Sequence, residues 1–194
     1  MQPSRWGARR VEIVATEIAD VKLVRPRRHG DDRGFFSEVY RTDVFREAGL
    51  PVHWVQDNHS LSGSTGTVRG LHFQTPPFAQ DKLVRVVRGA VLDIAVDLRR
   101  SSPTYGRFVS QELSAENWLQ LFVPKGFAHG FCTLTSDAEV LYKVTEYYAP
   151  EHDGGVAWDD PELAIAWPVA PEQAILSGKD RNLPRLADLE APFE

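Results

Sequence analysis

Two stretches of the chain hold side chains whose types and spacing suit proton transfer. Residues 68–82 read VRGLHFQTPPFAQDK and place one histidine, His72, in an apolar strand pattern, with Lys82 just past a proline turn. Strand alternation puts Val68, Gly70, His72 and Gln74 on one face, where Gly70 leaves room for a ligand or a backbone to approach. In a hairpin of this length Lys82 lies near His72, and a neighbouring cation keeps an imidazole neutral, as a base must be. Residues 141–148 read LYKVTEYY, and Tyr142 shares a face with Val140 and Val144. A tyrosine with a pKa of about 10 stays protonated at neutral pH and can give up a proton inside a cavity. The plainer alternatives are a core histidine and a core tyrosine with satisfied hydrogen bonds.

Three further stretches offer binding chemistry. In DDRGFFSE at 31–38, Arg33 suits a phosphate, Phe36 a stacked base and Glu38 a sugar or base N–H; the alternative is a turn entering an edge strand. The basic run at 24–29 suits a phosphorylated small molecule or a solvated loop. Residues 176–184, LSGKDRNLP, contain Asp180 and read locally as a surface turn.

The elements that must position these groups are mostly strands. Val84 and Val86 flank Arg85; Leu92, Ile94, Val96 and Leu98 alternate with Asp93, Ala95 and Asp97. The same period of two runs through 119–123 and 140–145. Turn-forming clusters at 63–66, 75–77, 101–104 and 114–117 separate these runs. Short, evenly spaced strands predict an all-β sandwich or barrel. One helix is expected over 42–49, with Thr42 as cap, Asp43 in the first turn and Gly49 as the stop. The tail at 171–194 is expected to be irregular, with one or two helical turns, wrapped over the barrel. No repeat or linker interrupts the chain, so a single domain over 1–194 is expected.

Composition narrows the function. Twenty-seven acids against twenty-two bases give a net charge of −5, which argues against a nucleic-acid partner. No run of about 18 apolar residues is present, so no membrane helix is expected. Residues 1–10 are basic without an apolar stretch behind them, and read as a short extension rather than a signal peptide. The single cysteine, Cys132, excludes an internal disulfide framework and suits the cytoplasm.

Residues 124–131, PKGFAHGF, resemble the second conserved motif of cupins, which are small jelly-roll barrels. Metal-dependent cupins pair that histidine, here His129, with an H-x-H and a glutamate. In LHFQ at 71–74 the second histidine is replaced by Gln74, and Lys82 stands nearby instead. A cation and two histidines make a poor divalent-metal site, so neither a metal nor another cofactor is expected.

Taken together, 31–38, VQDNHS at 55–60, 68–74, QDKLVRV at 80–86, 124–131, 141–143 and SGKD at 177–180 resemble the dTDP-4-dehydrorhamnose 3,5-epimerases. These are metal-independent cupins with a jelly-roll barrel and a few short helices. The resemblance implies inversion of C3 and C5 of dTDP-4-dehydro-6-deoxy-D-glucose, both α to the C4 ketone. It further implies His72 as base, Asp180 as its orienting partner, Lys82 on the enolate oxygen and Tyr142 returning a proton from the opposite face. His129 is then expected to line the pocket near the sugar, with Asp93 able to set its tautomer. Arg33, Phe36 and Glu38 would hold the nucleotide across a homodimer interface, while Gln56, Asn58 and Arg69 contact the sugar and diphosphate at home. Relatives that act at C3 or C5 alone keep the same His, Lys and Asp, so these motifs leave that alternative open.

Overall fold

In a computed structural model the described residues are 11–194, so the extension expected at 1–10 lies outside them. In chain order the strands are β1 (Val11–Ala15), β2 (Lys22–Pro26), β3 (Arg28–Asp31), β4 (Gly34–Ser37), β5 (Gln56–Ser62), β6 (Val68–Gln74) and β7 (Lys82–Arg88). They continue as β8 (Ala90–Asp97), β9 (Phe108–Ser114), β10 (Gln120–Val123), β11 (Phe127–Thr133), β12 (Ala138–Val144) and β13 (Asp153–Gly155). Two sheets carry the body, one in the order β1-β2-β10-β7-β12-β5 and the other β13-β6-β11-β8-β9. The paired strands within them run antiparallel, as in a cupin jelly roll. The β3–β4 hairpin stands apart as a two-stranded sheet.

Between the two sheets, Val84, Val86, Leu121 and Val140 meet Val91, Ala95, Phe127 and Phe131. A second apolar layer lies on the outside of the five-stranded sheet. There Leu71, Phe73, Ile94, Val96 and Leu98 are covered by Val156, Leu163, Leu186 and Phe193 from the C-terminal part of the chain. The apolar side of β8 therefore faces the tail, while Asp93 and Ala95 face the barrel interior. Burial of apolar surface is favourable on either side of a sheet, at about 25 cal/mol per Å². The tail makes three single 3-10 turns, Pro171–Gln173, Asp180–Asn182 and Leu186–Asp188, rather than one or two.

The helix spans Thr42–Glu47, and its N-cap is Arg41 rather than Thr42. The side chain that reaches the helix start is Asp43, whose Oδ1 accepts the Val44 N–H at 2.9 Å. Gly49 ends the helix at φ +72°, as expected for a left-handed stop. Phe45 buries the helix against the outer face of the six-stranded sheet.

Two expectations for 68–82 are corrected. First, β6 and β7 do not form a hairpin: they belong to different sheets, and 75–81 carries the chain from one to the other. Second, the face of β6 switches midway. His72 pairs with His129 but Arg69 with Phe131, so one extra residue of β6 sits opposite Gly130. Val68 consequently packs with Cys132 and Trp158 on the outer side, while the Arg69 guanidinium reaches Ser62 and Leu61 on β5 of the other sheet. Gly70 adopts φ +130°, and a Cβ there would lie 2.5 Å from the Gly130 Cα. The space it provides is taken by backbone, not by a ligand.

Candidate active site

A cavity of about 380 Å³ opens between the two sheets and is lined by His72, Lys82, Tyr142, Gln56 and Asn58, among others. His72 stands on β6 in the five-stranded sheet, whereas Tyr142 on β12 and Lys82 on β7 come from the six-stranded one. The two candidate proton carriers thus occupy opposite walls. His72 Nε2 lies 2.6 Å from Asp180 Oδ1; the ring is 30% exposed and the carboxylate 5%. Asp180 is brought there by its 3-10 turn, and its own N–H donates to Ser177 Oγ at 3.1 Å. Burial pushes the Asp180 carboxyl up, but the His72 hydrogen bond and charge, Ser177 and the Lys179 cation together hold it below the ordinary carboxylate value.

Lys82 is buried and spans the barrel: its Nζ donates to the His72 backbone carbonyl at 3.3 Å. Burial pulls its pKa down to about 8, with the charges of Asp93 and Asp153 opposing and Lys179 assisting. At neutral pH it remains mostly a cation, enclosed where its field is little screened. Burial raises the Tyr142 hydroxyl above its ordinary value, which keeps it a proton donor; Arg69 pulls the other way and Asp153 adds to the rise.

His129 pairs in register with His72 on the neighbouring strand. It is buried, its Nε2 is 3.0 Å from Asp93 Oδ1 and 3.1 Å from Oδ2, and it is not part of the cavity lining. The expected contact with Asp93 is present, whereas the expected place on the pocket surface is not. Gln56 and Asn58 line the cavity and bond to each other at 2.8 Å. The Arg69 guanidinium donates to Ser62 Oγ at 3.0 Å and to the Leu61 carbonyl at 3.1 Å, outside the lining.

Arg33, Phe36 and Glu38 are not brought to this cavity within the chain. They lie on or beside the β3–β4 hairpin, where Arg33 pairs with Asp31 and Phe36 is 68% exposed. Glu38 lies 3.6 Å from Arg41.

Six lining residues were not among the expected site residues: Phe73, Gln74, Gln80, Tyr148, Asp153 and Lys179. Tyr148 donates to Asp153 Oδ2 at 2.9 Å, and Lys179 pairs with the same carboxylate. Adjacency of Lys179 to Asp180 was the one local hint. Gln74, where a metal-dependent cupin has a histidine, has both ends of its amide engaged: Oε1 accepts the Ala149 N–H and Nε2 donates to the Phe78 and Tyr147 carbonyls. Among the described residues no three His, Cys, Asp or Glu side chains converge as metal ligands. No helix among them is long and apolar enough to cross a membrane.

Residues 15–188 match the family model described as dTDP-4-dehydrorhamnose 3,5-epimerase. The chain belongs to the dTDP-4-dehydrorhamnose 3,5-epimerase family. A family member from Sinorhizobium fredii is 57% identical over 177 residues, 91% of this chain and 90% of that one. The solved 3,5-epimerase of Bacillus anthracis, with TDP and PPi bound, superposes with a TM-score of 0.87 at 53% identity, covering 90% of this chain and 99% of that one. A 3,5-epimerase from Legionella pneumophila, in complex with dTDP-4-keto-L-rhamnose, gives a TM-score of 0.89 at 44% identity over 93% of this chain and 95% of that one.

Proposed function

We propose that this cavity inverts C3 and C5 of dTDP-4-dehydro-6-deoxy-D-glucose to give dTDP-4-dehydro-L-rhamnose, a step of dTDP-L-rhamnose biosynthesis. The observation that carries the reading is one cavity with a histidine and a tyrosine on opposite walls and a buried lysine between sheets. Each carbon lies α to the C4 ketone, so a proton can leave once the enolate is stabilised. His72 takes that proton, and Asp180, already hydrogen-bonded to the ring, stabilises the imidazolium that forms. Lys82 supplies a fixed cation for the enolate oxygen. Tyr142 returns a proton from the other face, which is what inversion requires. His129, held by Asp93, supports the wall on which His72 sits.

Gln56, Asn58 and Arg69 contact the sugar and diphosphate in this reading. The exposed hairpin with Arg33 and Phe36, together with Glu38, reaches the nucleotide in the site of a second copy, so the working unit is a homodimer of single cupin domains. A cytoplasmic location fits a nucleotide-sugar substrate and a single buried cysteine, Cys132.

Turnover in D2O tests the assignment. Deuterium is expected at both C3 and C5 of the product; label at one carbon alone would replace the reading with mono-epimerisation. Sedimentation at assay concentrations tests the dimer, which is overturned by a monomer with full turnover.

A further inference from the structure

After β12 ends at Val144 the chain leaves the sheet, and residues 146–149 run without strand partners along a rim from which Tyr148 lines the cavity. Backbone polar groups still need partners when a segment is pinned against a folded surface. Here glutamine side chains supply them. The Glu146 carbonyl accepts from Gln80 Nε2 at 2.8 Å, and the Tyr147 carbonyl from Gln74 Nε2 at 3.1 Å. The Tyr148 N–H donates to Gln56 Oε1 at 3.2 Å and the Ala149 N–H to Gln74 Oε1 at 2.8 Å. Four successive residues are thus held by three glutamines, all of which line the cavity.

Gln74 is the hub of this cradle. It is 4% exposed and also donates to the Phe78 carbonyl at 2.7 Å, on the connection that leads to Lys82. An amide offers one acceptor oxygen and two donor hydrogens, and Gln74 uses both ends. No carboxylate or apolar side chain of similar size can do the same. The rim it holds carries Tyr148, whose hydroxyl donates to Asp153; that carboxylate also pairs with Lys179, next to Asp180.

We propose that Gln74 is a positioning residue for the epimerisation: by fixing Tyr147 and Ala149, on either side of Tyr148, it keeps Tyr148 against the sugar and retains the half-converted sugar between the two inversions. The inference rests on the 3,5-epimerase reading and adds what prevents release after the first inversion. It assigns Gln74 no proton and no contact with the reacting carbons.

The test compares the native enzyme with Gln74→Met and Gln80→Met during early turnover of the dTDP-ketosugar in D2O. Label at both carbons in the native product checks the reaction itself, independently of the variants. For Gln74→Met, kcat/KM is expected to fall about tenfold to a hundredfold, the usual cost of misplacing a bound substrate by a fraction of its length. The diagnostic readout is partition: sugar released with label at a single carbon should rise severalfold. A folded Gln74→Met enzyme with native partition overturns the proposal, because a merely stabilising clamp would alter melting without altering which product leaves. Should Gln74→Met not fold, Gln80→Met decides. It removes one bond at the exposed end of the cradle, and a raised singly labelled fraction supports the role, whereas an unchanged fraction refutes it.

Discussion

Two histidines on adjacent strands each pair with an aspartate, and the two pairs differ in almost every physical respect. His129 and Asp93 lie on neighbouring strands of one sheet, with the ring 8% exposed and the carboxylate fully buried. His72 and Asp180 are separated by 108 residues, and the ring is 30% exposed beside a cavity. The first pair is built by the sheet itself and is sealed within it. The second exists only when the C-terminal turn docks on β6, and its ring faces a space that a substrate can enter. A histidine–aspartate contact alone therefore does not mark a base; access to the reacting atom does. The sealed pair satisfies buried polar groups, and its removal should be felt first in stability.

That contrast can be broken by substitution. His72→Ala should lower kcat by about 10³-fold, the usual worth of a positioned general base, and slow deuterium entry at C3 and C5 by the same factor. Exchange at the native rate would move the base elsewhere. Asp180→Asn keeps the shape but loses the charge that stabilises the imidazolium, and kcat is expected to fall about tenfold to a hundredfold. An unchanged rate would make the open pair as structural as the sealed one.

The pH profile separates the lysine from both pairs. Lys82 titrates at about 8, so kcat/KM should decline about tenfold per unit above that pH as the cation is lost. In Lys82→Arg the decline should disappear even if the overall rate is lower. Asp93→Leu should destabilise the fold by about 1–3 kcal/mol in urea, because it leaves the buried His129 nitrogen without its acceptor. A smaller loss than for Asp180→Leu would reverse the contrast. The smallest expected effect is acid linkage at Asp180. Its folded carboxyl lies below the ordinary value, so its stabilisation is complete above about pH 4 and fades as pH falls through the folded value. Asp180→Asn should therefore lose stability relative to native at pH 6 and approach it in acid.

Much of this was legible in order and kind. Alternation placed strands over 84–86, 92–98, 119–123 and 140–144, turn residues separated them, and Gly49 marked the helix stop. Less legible was which side of a strand faces inward. The apolar side of β8 reads as core, yet it lies under Leu186 and Phe193, and the polar side carrying Asp93 faces the interior. Alternation reports that two faces differ; it contains nothing about what covers each one. The β6 face was misread for another local reason, since one extra residue opposite Gly130 reverses the side-chain directions that period two assumes.

By itself, then, the sequence determined the all-β class with several of its strands, the family and the chemical types of the proton-handling set, because these depend on local pattern and residue identity. Only the tertiary structure decided that His72 and Lys82 meet across the barrel rather than along a hairpin. It alone sealed His129, docked Asp180 onto His72, and gave Gln74 the rim to hold. Each of these depends on which distant surfaces pack together, and packing is settled by complementary shape and burial between segments that are far apart in the chain.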